Sequence, residues 1–257
     1  MLLCAPPAVV AMMRVRSARA IVATATTTAT RIVTRRRLLV PSRAIGSVWH
    51  VSNKGLWRCE SAPLWNLHSG TAATVALSQM AQELGAAAVM VTPSKEASGN
   101  WDDALLTLYA RVAAGCPGLP IVLQDHPGST GVHMPVPLLA KIVAEVPSVG
   151  CIKLESLPTP AKIAALRAAW VKAPPAQECT ILTGLGALYA GYDMEQGTQG
   201  FMTGFAFPEV LRAMNDAAQT GDLATAHALY QRFLPLMVFE QQPGVAVRKQ
   251  LDRRRGL

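Results

Sequence analysis

From Ser69 onward, short apolar runs alternate with helical stretches, and no other feature of the sequence limits the fold as much. The runs are 86–91, 119–124, 149–154, 179–183 and 199–203. Between and after them, helical spacing is predicted over 71–84, 101–114, 136–145, 160–172, 185–196, 208–220 and 223–239. Strands that alternate with helices of this length form βαβ units and a parallel sheet. The runs are almost wholly apolar, as parallel strands are when helices cover one face and other strands the other. Local signals agree. Gly85 follows the first helix as a C-terminal cap, and Asp102 and Asp103 sit in a first turn, where the helix dipole favours acids. In the first helix Val75, Ala76, Met80 and Leu84 are the expected apolar stripe.

Residues 1–66 read differently. They hold nine Arg, Lys54 and a single acid, Glu60, whereas residues 67–257 hold 14 basic and 15 acidic side chains. The net charge of +8 therefore belongs to the first quarter, and the rest has no basic face with which to follow a phosphate backbone. A Thr/Ala tract, the cluster Arg35, Arg36 and Arg37, and Trp49, Trp57 and Trp65 eight residues apart show no sustained period. Three origins fit this composition: a targeting arm, a basic disordered or nucleic-acid-binding arm, and out-of-frame translation of a GC-rich gene, which is preferred. The expected division is thus 1–66, an atypical basic segment, and 67–257, an α/β domain. No uncharged apolar run reaches membrane-spanning length. The five cysteines have no CxxC or metal-ligand spacing, which suits a reducing cytoplasm and implies no metal. No GxGxxG or GxxxxGK[ST] follows a strand, so nucleotide folds lose support.

In a parallel barrel the chemistry sits at the C-terminal strand ends. Those ends carry Thr92, Gln124, Lys153, Glu155, Thr183 and Thr203. Alternation along 149–154 puts Val149, Cys151 and Lys153 on one face and Ile152 and Leu154 on the other. With the bulkier pair toward the helices, Lys153 enters the barrel mouth. An amine removed from water is more readily neutral, and a neutral amine can attack a ketone to form an imine. Taken alone, a lysine here is more simply a strand-end residue snorkelling to solvent. Glu155 would share the face of Lys153, either as a simple salt bridge or as a group that tunes the amine.

The segment Gly150-Cys-Ile-Lys153-Leu-Glu-Ser156 resembles the strand that bears the Schiff-base lysine in the dihydrodipicolinate synthase / N-acetylneuraminate lyase family of pyruvate-dependent class I aldolases. Leu84 to Pro93, Leu119 to Gly131, Leu182 to Gly186 and Gly197 to Glu209 resemble that family's other strand motifs, in family order. The resemblance implies a (β/α)8 TIM barrel over residues 67–257, incomplete at its N-terminus because the first two strands are not recognisable. Residues 64–67 would be a remnant of the third. It implies a Schiff-base lyase or aldolase acting on pyruvate or another 2-oxo acid, without a cofactor, in a homo-oligomer that is a tetramer in the family. Lys153 would be the nucleophile. Gln124 stands where the family has a relay tyrosine, and Ser94 and Lys95 where it has the second. Ser129 aligns with the arginine that grips the synthase's dicarboxylate substrate, so the synthase reaction itself is not expected. Glu155, Thr183, Thr203 and Ser129 would line the substrate pocket. Asp125 or His126 could replace the tyrosine as acid or base, although His126 beside Pro127 also suits a plain turn residue. The alternative function is a catalytically silent or truncated family member that acts as a binding protein or has no function. Such a chain would have open barrel edges and low stability.

Overall fold

The computed structural model describes residues 10–13, 48–52, 55–59, 70–93 and 101–256. Five parallel strands form its centre: β4 (Ala88–Val91), β5 (Ile121–Asp125), β6 (Val149–Leu154), β7 (Thr180–Thr183) and β8 (Gly200–Thr203), adjacent in that order. This is a parallel half-barrel of the α/β class, in which each predicted run is a strand to within two residues. The expected remnant at 64–67, and Ser94 and Lys95, lie outside the described residues. Three antiparallel strands that the sequence does not announce flank the five. β1 (Val10–Met13) pairs with β4, and β2 (Val48–Ser52) pairs with β8 and with β3 (Gly55–Cys59). The hydrogen-bonding edges of β4 and β8 are therefore occupied, which removes the open-edge argument for low stability at those two places.

The helices are α1 (Thr71–Glu83), α2 (Trp101–Gly115), α3 (Pro127–Thr130), α4 (Val136–Glu145), α5 (Thr159–Lys172), α6 (Ala190–Glu195), α7 (Pro208–Gln219), α8 (Leu223–Gln241) and α9 (Val245–Arg254). Alternation along the strands separates two cores. Val89, Val91, Ile121, Leu123, Ile152, Leu154 and Ile181 pack outward against helix residues such as Tyr109, Leu139, Ile142 and Ile163. Val122, Leu182 and Met202, with Met90 and Cys151 against them, fill the interior face. A third cluster joins Phe201 and Phe205 to α6, α7 and α8.

Three local expectations are corrected. Val149 belongs to the outer cluster, not to the face of Lys153, because the β5–β6 register slips between Ile121/Val149 and Val122/Cys151 and leaves Gly150 as the extra residue. In α1 the buried stripe is Thr74, Ser78 and Ala81, while Met80 and Leu84 are exposed. The two helices pack closely: a Cβ on Gly115 of α2 would come 2.6 Å from Val75 Cγ1 of α1. Residues 185–196 are not one helix. Leu185, Gly186 and Ala187 form a turn with positive φ (50°, 66° and 63°), and α6 starts only at Ala190. Gly85, with φ of 82°, is the left-handed cap expected from its position.

Candidate active site

The parallel register sets Gln124 beside Lys153 and Lys153 beside Leu182. Lys153, two residues beyond interior Cys151, continues onto the interior face at the C-terminal end of β6. Its Nζ stands 3.0 Å from Glu155 Oε2, and both side chains are largely buried. Gln124 Nε2 donates to the same Oε2 at 2.6 Å, and Thr92 Oγ1 donates to Gln124 Oε1 at 2.7 Å. The Glu155 carboxylate is acceptor-only, so the amide of Gln124 must present its NH2 to Glu155 and its oxygen to Thr92. The chain Thr92–Gln124–Glu155–Lys153 thus runs across the ends of β4, β5 and β6 with each polar group satisfied.

The second oxygen of Glu155 accepts from the backbone N–H of Leu185 at 3.1 Å. That contact explains the left-handed turn after β7. Positive φ at non-glycine residues costs about 1 kcal/mol or more each, and here it aims an amide at a buried carboxylate. Gly184 makes room: a Cβ there would lie 2.0 Å from Glu155 Oε1. Burial alone would push the Glu155 carboxyl upward. The Lys153 charge, the Gln124 amide and the His126 ring outweigh it and hold the group below the usual glutamate range.

Of the residues expected from sequence, the structure brings Lys153, Gln124 and Glu155 together. It does not bring Thr183, Thr203 or Ser129 to them. Thr183 is buried and has the outward parity of Ile181. Its hydroxyl lies close enough to the Asp193 carboxylate to stabilise its charge, but no hydrogen bond of ordinary geometry forms. Thr203 is buried with the outward parity of Phe201 and pairs in register with Trp49. Alternation, rather than residue type, removes both threonines from the interior. Ser129 spends its hydroxyl on the carbonyl of His126, inside α3. Asp125, the proposed acid or base, also faces outward and is paired with Lys162 Nζ of α5 at 2.6 Å. Sequence reasoning placed Thr92 at a strand end without giving it a role, and left Gly184 and the Leu185 amide out of the site. The strand parity of Thr92 with Met90 could have found the first. The other two lie in the turn at Leu182 to Gly186, which the family resemblance marked without giving either of them a role.

A sequence model of the dihydrodipicolinate synthetase family matches residues 68–251. The chain belongs to this family. Over 193 residues it is 34% identical to the L-2-keto-3-deoxyarabonate dehydratase of Azospirillum brasilense, a match that covers 74% of the chain and 60% of that protein. Among solved structures, the dihydrodipicolinate synthase of Rhodopseudomonas palustris superposes with a TM-score of 0.66 at 32% identity, covering 74% of this chain and 63% of that one. A prophage-encoded family member from E. coli K12, solved in complex with pyruvate, gives 0.60 at 24% identity over 71% and 60% of the two chains, a likeness of fold. The chain spans about three fifths of the length of these relatives. Among the described residues no helix is long and apolar enough to cross a membrane.

Proposed function

We infer that the chain is a Schiff-base-forming lyase of this family, acting on pyruvate or another 2-oxo acid and not carrying out the synthase reaction. The observation that carries this reading is the buried contact between Lys153 and Glu155 at the strand ends, with Gln124 where a relay tyrosine would stand. The Lys153 amine adds to the 2-oxo carbon, and loss of water leaves an imine. The imine then accepts the electron pair of a broken carbon–carbon bond or of an adjacent carbon–hydrogen bond; in the second case the enamine so formed expels a hydroxide, which leaves as water with the proton taken from carbon. Glutamine cannot move protons near neutral pH, but a carboxylate can. Glu155 is within hydrogen-bond distance of Nζ, so it takes the ammonium proton before attack and returns a proton to the departing hydroxyl. Thr92 and Gln124 hold it in place. A carbon–oxygen lyase is in keeping with the dehydratase relative.

With this reading go a small-molecule partner, no nucleic acid, no membrane, a cytoplasmic setting and a homo-oligomer. Residues 67–257 are the catalytic domain, and residues 1–66 take no part in the chemistry. The test is borohydride reduction in the presence of pyruvate, followed by peptide mass spectrometry. An adduct on Lys153 is expected. An unmodified Lys153 beside detectable turnover would overturn its role. No adduct and no turnover with any 2-oxo acid would favour the silent reading, which the loss of the relay tyrosine motivates.

A further inference from the structure

Two glycines end the neighbouring strands on the interior side. Gly184 comes two residues after interior Leu182, and Gly204 comes two residues after interior Met202. Neither space is empty. The first holds the Glu155 carboxylate, and the second holds the side chain of Arg248, whose Nη1 would be 3.0 Å and Cζ 3.5 Å from a Cβ on Gly204. Arg248 comes from the first turns of α9. Its Nε donates to Glu240 Oε2 of α8 at 3.2 Å, and Glu240 is fully buried. That bond fixes the plane of the guanidinium. Its terminal nitrogens make no hydrogen bond among the described residues, and the side chain keeps 22% of its surface exposed. The rim therefore carries, strand by strand, the Lys153 amine on β6, the Glu155 carboxylate over β7 and the Arg248 guanidinium over β8.

We propose that Arg248 is the specificity-determining residue for the far end of the substrate, and that the chain takes 2-oxo acids whose carbon chain ends in acceptor oxygens, either hydroxyls or a carboxylate. This rests on the reading of Lys153 as the residue that meets the 2-oxo group. Strands two apart in a sheet are separated by about 10 Å, and two long side chains reaching inward shorten the span. The remaining gap suits a substrate of several carbons and leaves pyruvate, with only a methyl beyond its carbonyl, out of reach of Arg248. A planar fork already held by a buried carboxylate offers two parallel N–H donors to such a tail at little further cost in side-chain freedom.

The test is equilibrium binding by calorimetry, which does not require the imine. Pyruvate, 2-oxoglutarate (a distal carboxylate) and a 3-deoxy-2-oxo sugar acid (distal hydroxyls) are titrated into the full chain and its variants. At least one tailed acid should bind more tightly than pyruvate, and Arg248→Gln should lower that preference about tenfold while pyruvate affinity stays the same. The tailed acid that loses affinity identifies the kind of oxygen recognised. Arg248→Lys keeps the ion pair with Glu240 and loses the fork, so it should fold normally and still lose most of the preference. Arg255→Gln is the structural control, because Arg255 binds the carbonyl of Ala206 on the same loop and the carboxylate of Glu209 in the first turn of α7. It should leave the preference intact. The proposal is overturned if the wild type binds no tailed acid better than pyruvate, if both Arg248 variants keep the wild-type ratio, or if Arg255→Gln removes the preference equally. Failure of borohydride trapping with these binding ratios intact would instead count against the Schiff base alone.

Discussion

The strand ends carry buried carboxylates on both faces, and the two faces treat them differently. On the interior face Glu155 touches an ammonium, a primary amide and a backbone N–H. It is held below the ordinary glutamate range despite its burial. Behind the outer face, Asp193 of α6 has Thr159 Oγ1 donating at 2.6 Å and no cation paired with it among the described residues, and burial pushes its carboxyl up to about 6. Asp125, on the same outer face, has Lys162 at 2.6 Å, yet burial still raises it, with one oxygen left without a hydrogen-bond partner. Depth alone does not distinguish the faces, since all three side chains are buried. The number and charge of the donors does: the interior carboxylate is held low beside its amine, whereas both outer ones are raised.

The largest expected effect breaks the interior cluster at its centre. Lys153→Met should abolish borohydride trapping and lower turnover of any substrate by at least about a thousandfold, because the nucleophile and the electron sink disappear together. The fold should persist, with an unchanged circular dichroism spectrum. Retained trapping in this variant would move the chemistry to another lysine.

On the outer face the comparable break is structural. Lys162→Met leaves Asp125 buried without its cation and should cost about 3 kcal/mol of stability at neutral pH. Without Lys162 the carboxyl binds its proton still more tightly in the folded chain, so stability should recover as the pH falls. A urea midpoint that does not move at pH 7 would show that Asp125 is not held by this pair. Imine formation is read separately and should survive in the fraction that folds.

The next effect separates the faces by pH. A carboxyl whose folded value is raised contributes stability at low pH and loses it as the pH climbs through that value. For Asp193 the loss falls between about 4 and 6 and amounts to roughly 2 to 3 kcal/mol. Glu155, held low, behaves oppositely: its contribution is present above the ordinary glutamate range and is lost only in more acid solution. Asp193→Asn should therefore gain on the wild type as the pH rises from 4 to 6 and run parallel to it above that. A wild-type-to-variant difference that is constant from pH 4 to pH 8 would deny the raised value.

How far this could be read from the sequence follows the same division. The alternation of strands and helices was legible because apolar runs and helical periods are local properties. Lys153 and Glu155 were legible as neighbours because they stand two residues apart at the end of one strand, and Gln124 because it lies near the end of the adjacent strand. Thr183 and Thr203 were misplaced because residue type says "polar strand end" while parity, counted from Ile181 and Phe201, says "outer face". The slip at Gly150 moved Val149 for the same reason, since a bulge changes parity without any mark on composition. Arg248 was not legible. Its place over Gly204 depends on how α9 folds back across the strand ends, and nothing local to residues 245–254 encodes that.

The smallest expected effect tests whether the interior carboxylate is placed by its glycine. Gly184 has φ of −116°, a conformation open to any residue, so alanine there meets no backbone strain. The added Cβ would instead overlap the end of the Glu155 side chain. A flexible side chain on a surface would move aside at little cost. Glu155 is anchored by Gln124, Lys153 and the Leu185 amide, so moving aside breaks several of those bonds at once. Gly184→Ala should lower imine formation about tenfold with only a small loss of stability. The double variant Glu155→Ala/Gly184→Ala decides the cause. If the glycine acts only by making room for Glu155, the double variant reacts no more slowly than Glu155→Ala alone, and the two effects are far from additive. If the effects add, Gly184 serves the left-handed turn itself, and the strain at Leu185 and Ala187 is held there by something other than the carboxylate it points toward.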